Sequence, residues 1–260
     1  MSMSRDRAIS ICETNQAFFN SKDFRESIIN SIEKSYIQSS FDPILEDCVE
    51  KPNITITDSD SVSTLRLHRI IGGKSAKIAV LNFASATRPG GGYTSGSSAQ
   101  EEDLCRASTL YPVISNSKFE DFYYLGYNTY PRYTNNLIYC KDILFFRHQN
   151  GTMTDEYVTA DVITCAAPNC SGTSYIHNIE EILNMRAAAI IAAASANNIE
   201  TLILGAFGCG VFKNDPSLVA NAFKIALGSN HKIKKVIFPM FSIINPANKY
   251  FREVLLGHDI

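Results

Sequence analysis

The stretch Ile78-Ala79-Val80-Leu81, followed by Asn82 and Phe83, constrains this chain most. An apolar run without polar alternation predicts a strand covered on both faces, so the chain must build a sheet sandwiched between helices. The loop after it is equally restrictive. Arg88-Pro89-Gly90-Gly91-Gly92 leaves the strand, and seven residues after the triplet Gln100-Glu101-Glu102 stands at a helix start.

The rest of the chain fits that plan. With 260 residues, 45% of them hydrophobic, it can bury one main core and carry an appendage. Residues 3–34 space Ile9, Ile11, Phe18, Phe19, Ile28, Ile29 and Ile32 at helical intervals, predicting two or three amphipathic helices. Pro43 and Pro52 break the pattern, and Ile54-Thr55-Ile56-Thr57 alternates as a strand does. We place a helical accessory segment at 1–55 and the main α/β domain at 56–260. Leu104, Ala107, Leu110 and Tyr111 carry a helix to Pro112, and the tyrosine-crowded stretch 119–139 reads as an irregular excursion. Strands are expected at 143–146, 158–167, 201–204 and 236–238, with a hairpin turn at Gln149-Asn150-Gly151. Helices are expected behind Asn178 (with Glu181 completing the cap), behind Asp215-Pro216 and behind Asn245-Pro246. The alternation predicts an α/β sandwich with a largely parallel sheet.

Composition excludes several functions. A formal net charge of −2 with 19% charged residues provides no basic stripe, so direct nucleic-acid binding is not expected. Seven cysteines (Cys12, Cys48, Cys105, Cys140, Cys165, Cys170, Cys209) are an odd number without zinc-type spacing, and they read as reduced thiols. The longest apolar helical stretch, 187–196, is too short for a bilayer, and the N-terminus lacks an apolar signal core. A cytoplasmic or nuclear monomer is the expectation; delivery into another cell stays open.

Two glycine-rich loops, 89–96 and 205–210, each follow a buried strand and precede a helix, which puts both at the crevice of an open α/β sheet. Bare amides at such a place hold phosphate oxygens, and two facing loops suit a diphosphate. Against this, a glycine triplet is often only a tight turn. Neither loop is a P-loop, since no Gly-Lys-Ser/Thr follows, and neither matches GxGxxG. Ser98 with Glu101 fits a capping box, and Ser97 with Gln100 fits almost as well, so Glu101 has a structural task. Glu102 is the candidate acid/base, with a solvated helix-start carboxylate as the plain alternative. Successive helix positions lie about 100° apart, so the two glutamates are not expected to share one site.

These residues resemble the signature of poly(ADP-ribose) glycohydrolases of the shorter microbial type, whose catalytic domain is a macrodomain. The similarity extends to Val80-Leu81-Asn82-Phe83-Ala84, to Ala166-Ala167-Pro168-Asn169, and to 205–212 followed by Asn214-Asp215-Pro216. It covers roughly 54–254, with the helical N-terminal extension that this type carries. The resemblance implies a three-layer α/β/α macrodomain with a mixed, largely parallel central sheet, acting on poly(ADP-ribose) or ADP-ribosylated protein. By position in the motif, Glu102 is the catalytic acid/base and Glu101 its positioning neighbour. Asn82, Gly90, Gly91, Gly92 and Gln100 surround the distal ribose. Gly205, Ala206, Phe207, Gly208, Cys209, Gly210 and Val211 form the diphosphate loop, Phe212 packs near the distal ribose, and Phe207 is open to a purely structural reading. No metal or cofactor is implied.

Cleavage at an anomeric carbon passes through an oxocarbenium-like state, in which the leaving oxygen takes a proton and a water is then activated. One glutamate serves both steps in turn. Two readings rival the glycohydrolase of polymer: a mono(ADP-ribosyl)-protein hydrolase acting on arginine or carboxylate linkages, and a non-catalytic ADP-ribose reader. The five histidines (His68, His148, His177, His231, His258) read as surface or structural groups. The tyrosine-rich stretch is where substrate selectivity is sought.

Overall fold

The computed structural model describes residues 3–39, 50–172, 175–229, 231–241 and 246–257. Pro43, Cys48, Asn245 and His258 lie outside the described residues. In chain order the elements are α1 (Arg5–Phe19), α2 (Lys22–Lys34), β1 (Tyr36–Gln38), β2 (Asn53–Thr57), α3 (Ser61–Gly72), β3 (Ile78–Phe83), α4 (Gln100–Ala107), α5 (Leu110–Ile114), α6 (Glu120–Asn128), β4 (Leu137–Arg147), β5 (Met153–Cys165), α7 (Ile179–Ala196), β6 (Thr201–Ile203), α8 (Pro216–Gly228), β7 (Lys235–Pro239) and α9 (Pro246–Leu256).

The strands form one sheet of order β1-β4-β5-β3-β6-β7-β2. Strand β3 is parallel to β5 and β6, and the parallel run continues through β7 to β2. The long hairpin of β4 and β5 turns the other half antiparallel, and β1 closes that edge.

The unbroken apolar character of β3 follows from its place at the centre. Ala79 and Leu81 enter one core with Leu183, Ala187 and Ile190 of α7, Phe223 of α8 and Phe251 of α9. Ile78 and Val80 enter the other, with Phe19 of α1, Phe24 and Ile28 of α2, Leu65 of α3 and Leu104 of α4. Successive strand residues point to opposite faces, so a strand covered on both sides has no position for a polar residue until Asn82 at its end. The result is the three-layer α/β/α sandwich expected, with the mixed, largely parallel sheet.

Three local expectations change. The stretch 119–139 is not irregular throughout: α6 occupies 120–128, burying Phe122 and Tyr123 while Tyr124 and Tyr127 are exposed, and tyrosines on both faces hide the period. Pro112 does not end a helix. Helix α4 stops at Ala107, Ser108 turns extended, and Pro112 sits in the first turn of the separate helix α5, where its missing N–H costs little. Asn178 does precede α7, but in a left-handed conformation without a side-chain cap bond.

The N-terminal segment is joined to the sheet by more than helices. It supplies β1, and Phe18, Phe19 and Phe24 surround Phe146 of β4, the Phe24 ring meeting it edge-on at 4.9 Å. Asn15, fully buried, accepts from Arg147 Nε at 2.8 Å and donates to the Arg106 carbonyl at 2.9 Å. Helix α1 is thereby pinned to α4, the helix that carries both glutamates. The same helix grips the loop before α4: Arg5 Nε donates to the Ser95 carbonyl and Cys12 Sγ to the Tyr93 carbonyl, each at 3.0 Å.

Candidate active site

All the parallel strands end on one side of the sheet, and the loops after β3, β5, β6 and β7 meet there around a cleft of about 1120 Å³. The end of β3 is held open by Gln100. Its Nε2 donates to the Leu81 carbonyl at 2.7 Å and to Ser61 Oγ at 3.2 Å, and its Oε1 accepts from the Phe83 N–H at 2.9 Å. The side chain thus replaces a neighbouring strand where the chain peels away, and fixes the start of α4 against the sheet.

The capping frame lies one residue later than expected. Ala99, not Ser98, is the N-cap, and Glu102, not Glu101, reaches back. Glu102 Oε2 accepts from the Ala99 N–H at 3.1 Å, and Oε1 accepts from the Gly92 N–H at 2.9 Å. Glu101 turns toward β3 instead: Oε2 accepts from the Ser85 N–H at 2.8 Å and Oε1 from Asn82 Nδ2 at 3.3 Å. The serine spacing offered Ser98 with Glu101 and Ser97 with Gln100, and neither frame is used. The glycine turn instead offers the Gly92 N–H to the carboxyl of Glu102.

The expectation that the two glutamates cannot share a site is also corrected. Both line the cleft and both converge on Gly91. A Cβ on Gly91 would stand 2.7 Å from Glu102 Oε1 and 3.1 Å from Glu101 Oε2, and the residue has φ +57°. Close approach and left-handed backbone both demand glycine here. The angular separation on the helix is real, but two three-torsion side chains bend around one glycine from either side.

Both glutamates are buried, at 3% and 7% exposure. Burial pushes the Glu101 carboxyl up to about 8, the Glu102 charge adds to the rise, and the Ser85 amide and Asn82 side chain oppose it. Burial therefore favours the protonated form of Glu101. Asn82 is fully buried behind it, and its Nδ2 also meets Thr164 Oγ1 at 3.2 Å. Among the described residues nothing donates to Asn82 Oδ1.

Across the cleft runs the loop 205–212. Gly208 has φ +71°, and an added Cβ would collide with Ala167 and Asn214. Asn214 Nδ2 ties the loop to the end of β5 through the carbonyls of Pro168, at 2.8 Å, and Gly208, at 3.1 Å. The amides of Gly210, Val211 and Phe212 make no hydrogen bond to the described protein and border the cleft. Phe207 keeps only an edge at the cleft: it is 2% exposed and packs between Phe83 and Phe223. Cys209 is no nucleophile, since burial pushes its thiol up to about 12. Phe212 is half-buried, its ring 6.0 Å from that of Tyr133.

Of the residues singled out in the sequence, Gly91, Gln100, Glu101, Glu102 and 206–212 line the cleft. Asn82, Gly90, Gly92 and Gly205 stand behind its wall. Sequence reasoning missed Ser85, whose amide holds Glu101, and the whole far rim: Met3, Ser4 and Arg7 from the N-terminus, Asp60 and Ser61 at the start of α3, and the turn 148–150. His148, exposed as expected, also borders that rim. No motif marks these positions, because tertiary packing alone brings them there. Among the described residues, no group of three His, Cys, Asp or Glu side chains could hold a metal, and no helix is long and apolar enough to cross a membrane.

A three-layer sandwich whose strand ends open on an amide-lined loop, with paired carboxylates facing it across a glycine turn, is a macrodomain fold equipped for acid/base chemistry. It defines a glycohydrolase of the macrodomain class. The family model for the catalytic domain of microbial-type PARG, poly(ADP-ribose) glycohydrolase, matches residues 7–148, more than half of the chain, and the chain belongs to that family. Solved structures agree. The poly(ADP-ribose) glycohydrolase of Thermomonospora curvata is similar with TM-score 0.78 and 27% identity, over 96% of this chain and 98% of that one. The same enzyme bound to the inhibitor ADP-HPD is similar at 29% identity and TM-score 0.78, over the same shares. The poly(ADP-ribose) glycohydrolase of Deinococcus radiodurans in complex with ADP-ribose is similar with TM-score 0.77 and 28% identity, over 89% of this chain and 98% of that one. In a comparison with curated proteins by sequence, none matches.

Proposed function

We propose that this chain hydrolyses the ribosyl bonds of poly(ADP-ribose), with Glu102 as the acid and base. The observation that carries the assignment is the convergence of both carboxyls on Gly91 at the cleft. The ADP-ribose diphosphate lies along the loop 205–212, where the amides of Gly210, Val211 and Phe212 donate to its oxygens. The distal ribose lies over Gly91, with Phe212 beside it, and its hydroxyls meet the Glu101 carboxyl that Asn82 holds from behind.

Glu102 gives its proton to the leaving oxygen as the bond to the anomeric carbon breaks. The oxocarbenium-like centre then takes a water, whose proton returns to Glu102. Atoms and charge balance over the cycle, and the glutamate ends as it began. Glu101 positions the ribose from the β3 side of Gly91, where Asn82 and the Ser85 amide hold its carboxyl. Gln100 acts through the backbone: it sets the end of β3 and the start of α4. In this reading the partner is ADP-ribosylated material, and the chain acts as a monomer inside the cell that holds that material.

The test is release of ADP-ribose from poly(ADP-ribosyl)ated protein and from arginine-linked and carboxylate-linked mono(ADP-ribosyl)ated protein, with Glu102→Gln alongside. Release from polymer by the wild type alone supports the reading. Release that persists in the variant overturns the role of Glu102. Activity confined to a mono-modified target replaces polymer by that linkage, and binding without any release leaves a reader.

A further inference from the structure

The far rim of the cleft has a chemistry of its own. Arg7 is the only arginine or lysine among the described residues that line the cleft. It stands on α1, and its Nη2 donates to the Asn150 carbonyl at 3.1 Å. That bond orients the guanidinium and leaves donors over, since the group has five. Among the described residues no carboxylate pairs with Arg7. The nearby acids are engaged elsewhere. Asp103 binds Arg106 and accepts from Gln149 Nε2 at 2.6 Å, while Asp60 accepts from the amide and hydroxyl of Ser63, each at 2.7 Å.

The path from the acid/base group to Arg7 is short and continuous. Asp103 follows Glu102 in α4, Gln149 bonds Asp103, and Asn150, next in the turn, bonds Arg7. Arg7 is thus linked through the turn 148–150 to α4, the element that carries Glu102, and shares the cleft with the loop 205–212 without bonding to it. In a polymer of ADP-ribose, the leaving oxygen belongs to an adenosine ribose whose 5′ carbon carries the next diphosphate. A protein side chain as leaving group carries none.

We infer that Arg7, held by the hairpin turn 148–150, is a specificity-determining residue that binds the diphosphate of the leaving polymer unit. The inference rests on the proposed hydrolase reading and deepens it: the N-terminal helix makes the site a polymer site. A guanidinium suits the role because its fork matches phosphate oxygens.

The experiment compares wild type, Arg7→Ala and Arg7→Lys on poly(ADP-ribose), and measures the affinity of each for free ADP-ribose, which fills only the released-unit side. Arg7→Ala is expected to raise KM for polymer about tenfold, the worth of a hydrogen bond to a charged group, with kcat unchanged. ADP-ribose affinity should stay within about twofold, and Arg7→Lys should recover part of the loss. Added salt should raise the wild-type KM more steeply than that of Arg7→Ala, because it screens the same charge. A wild-type KM retained in Arg7→Ala, or ADP-ribose affinity lost in parallel with KM, overturns the inference and leaves the hydrolase reading standing. Wild type that binds ADP-ribose and cuts no polymer overturns both.

Discussion

Glu101 and Glu102 differ by one position and by environment. Glu101 sits on the end of β3, where burial lifts its carboxyl from the ordinary value of 4.5 to about 8. Its raised value means that the folded state keeps a proton the unfolded chain releases. Stability from this group is full below about 4.5 and is lost as pH rises toward 8, by at most ~1.4 kcal/mol per pH unit. Glu101→Gln should therefore gain melting temperature over wild type as pH rises from 5 to 8, read by thermal unfolding at several pH values. A difference that stays flat with pH would remove the proton from Glu101. In activity, the wild type should lose kcat/KM above about pH 8, when Glu101 becomes charged. That limb should be absent in Glu101→Gln. At Gly91 the demand is steric: Gly91→Ala meets φ +57° and both carboxyls together, and should cut turnover at least ~100-fold while costing about 1–3 kcal/mol in denaturant unfolding.

Among the elements, α4 is the one on which site and fold meet. Its first turn closes on Gln100 and Glu102, which between them satisfy the Phe83, Gly92 and Ala99 amides. Gln100→Ala strands the Phe83 N–H and the Leu81 carbonyl, so it should destabilise by about 1–3 kcal/mol and lower activity without touching substrate. Unfolding and turnover of that variant, measured together, separate this splint from direct contact. This helix also shows where sequence stops being informative. Its start was legible to within a residue from Gln100-Glu101-Glu102, but Ser97 and Ser98 offered two frames and the structure uses neither, because Glu102 is drawn to the Gly92 amide. Strand β3, the loop 205–212 and the start of α8 at Asp215-Pro216 were legible because burial periodicity and turn chemistry are local. Helix α6 was not, since its tyrosines face both core and solvent.

For the whole molecule, the question is what the N-terminal helices do. They cover Phe146, tie Arg147 and Arg106 through Asn15, and hold the loop before α4 through Arg5 and Cys12. A chain shortened to begin at Ser35 uncovers those aromatic rings and should lose thermal stability and activity together. Full activity in it would make these helices a mere appendage. Their contribution to the cleft was hidden from sequence because Arg7 and Asn150 are far apart along the chain and meet only through the fold. The α/β sandwich was readable from the buried strand and the strand–helix alternation, and its macrodomain type from the family resemblance, whereas the partition of roles within the site needed the hydrogen bonds. In the proposed reading Glu102 performs the chemistry inside a site that binds ADP-ribose regardless of it, and Glu102→Gln, assayed for ADP-ribose affinity and for release of ADP-ribose from polymer, separates the two. Affinity should stay within about threefold of wild type while release slows at least ~100-fold. Release at the wild-type rate would take the acid/base role away from Glu102.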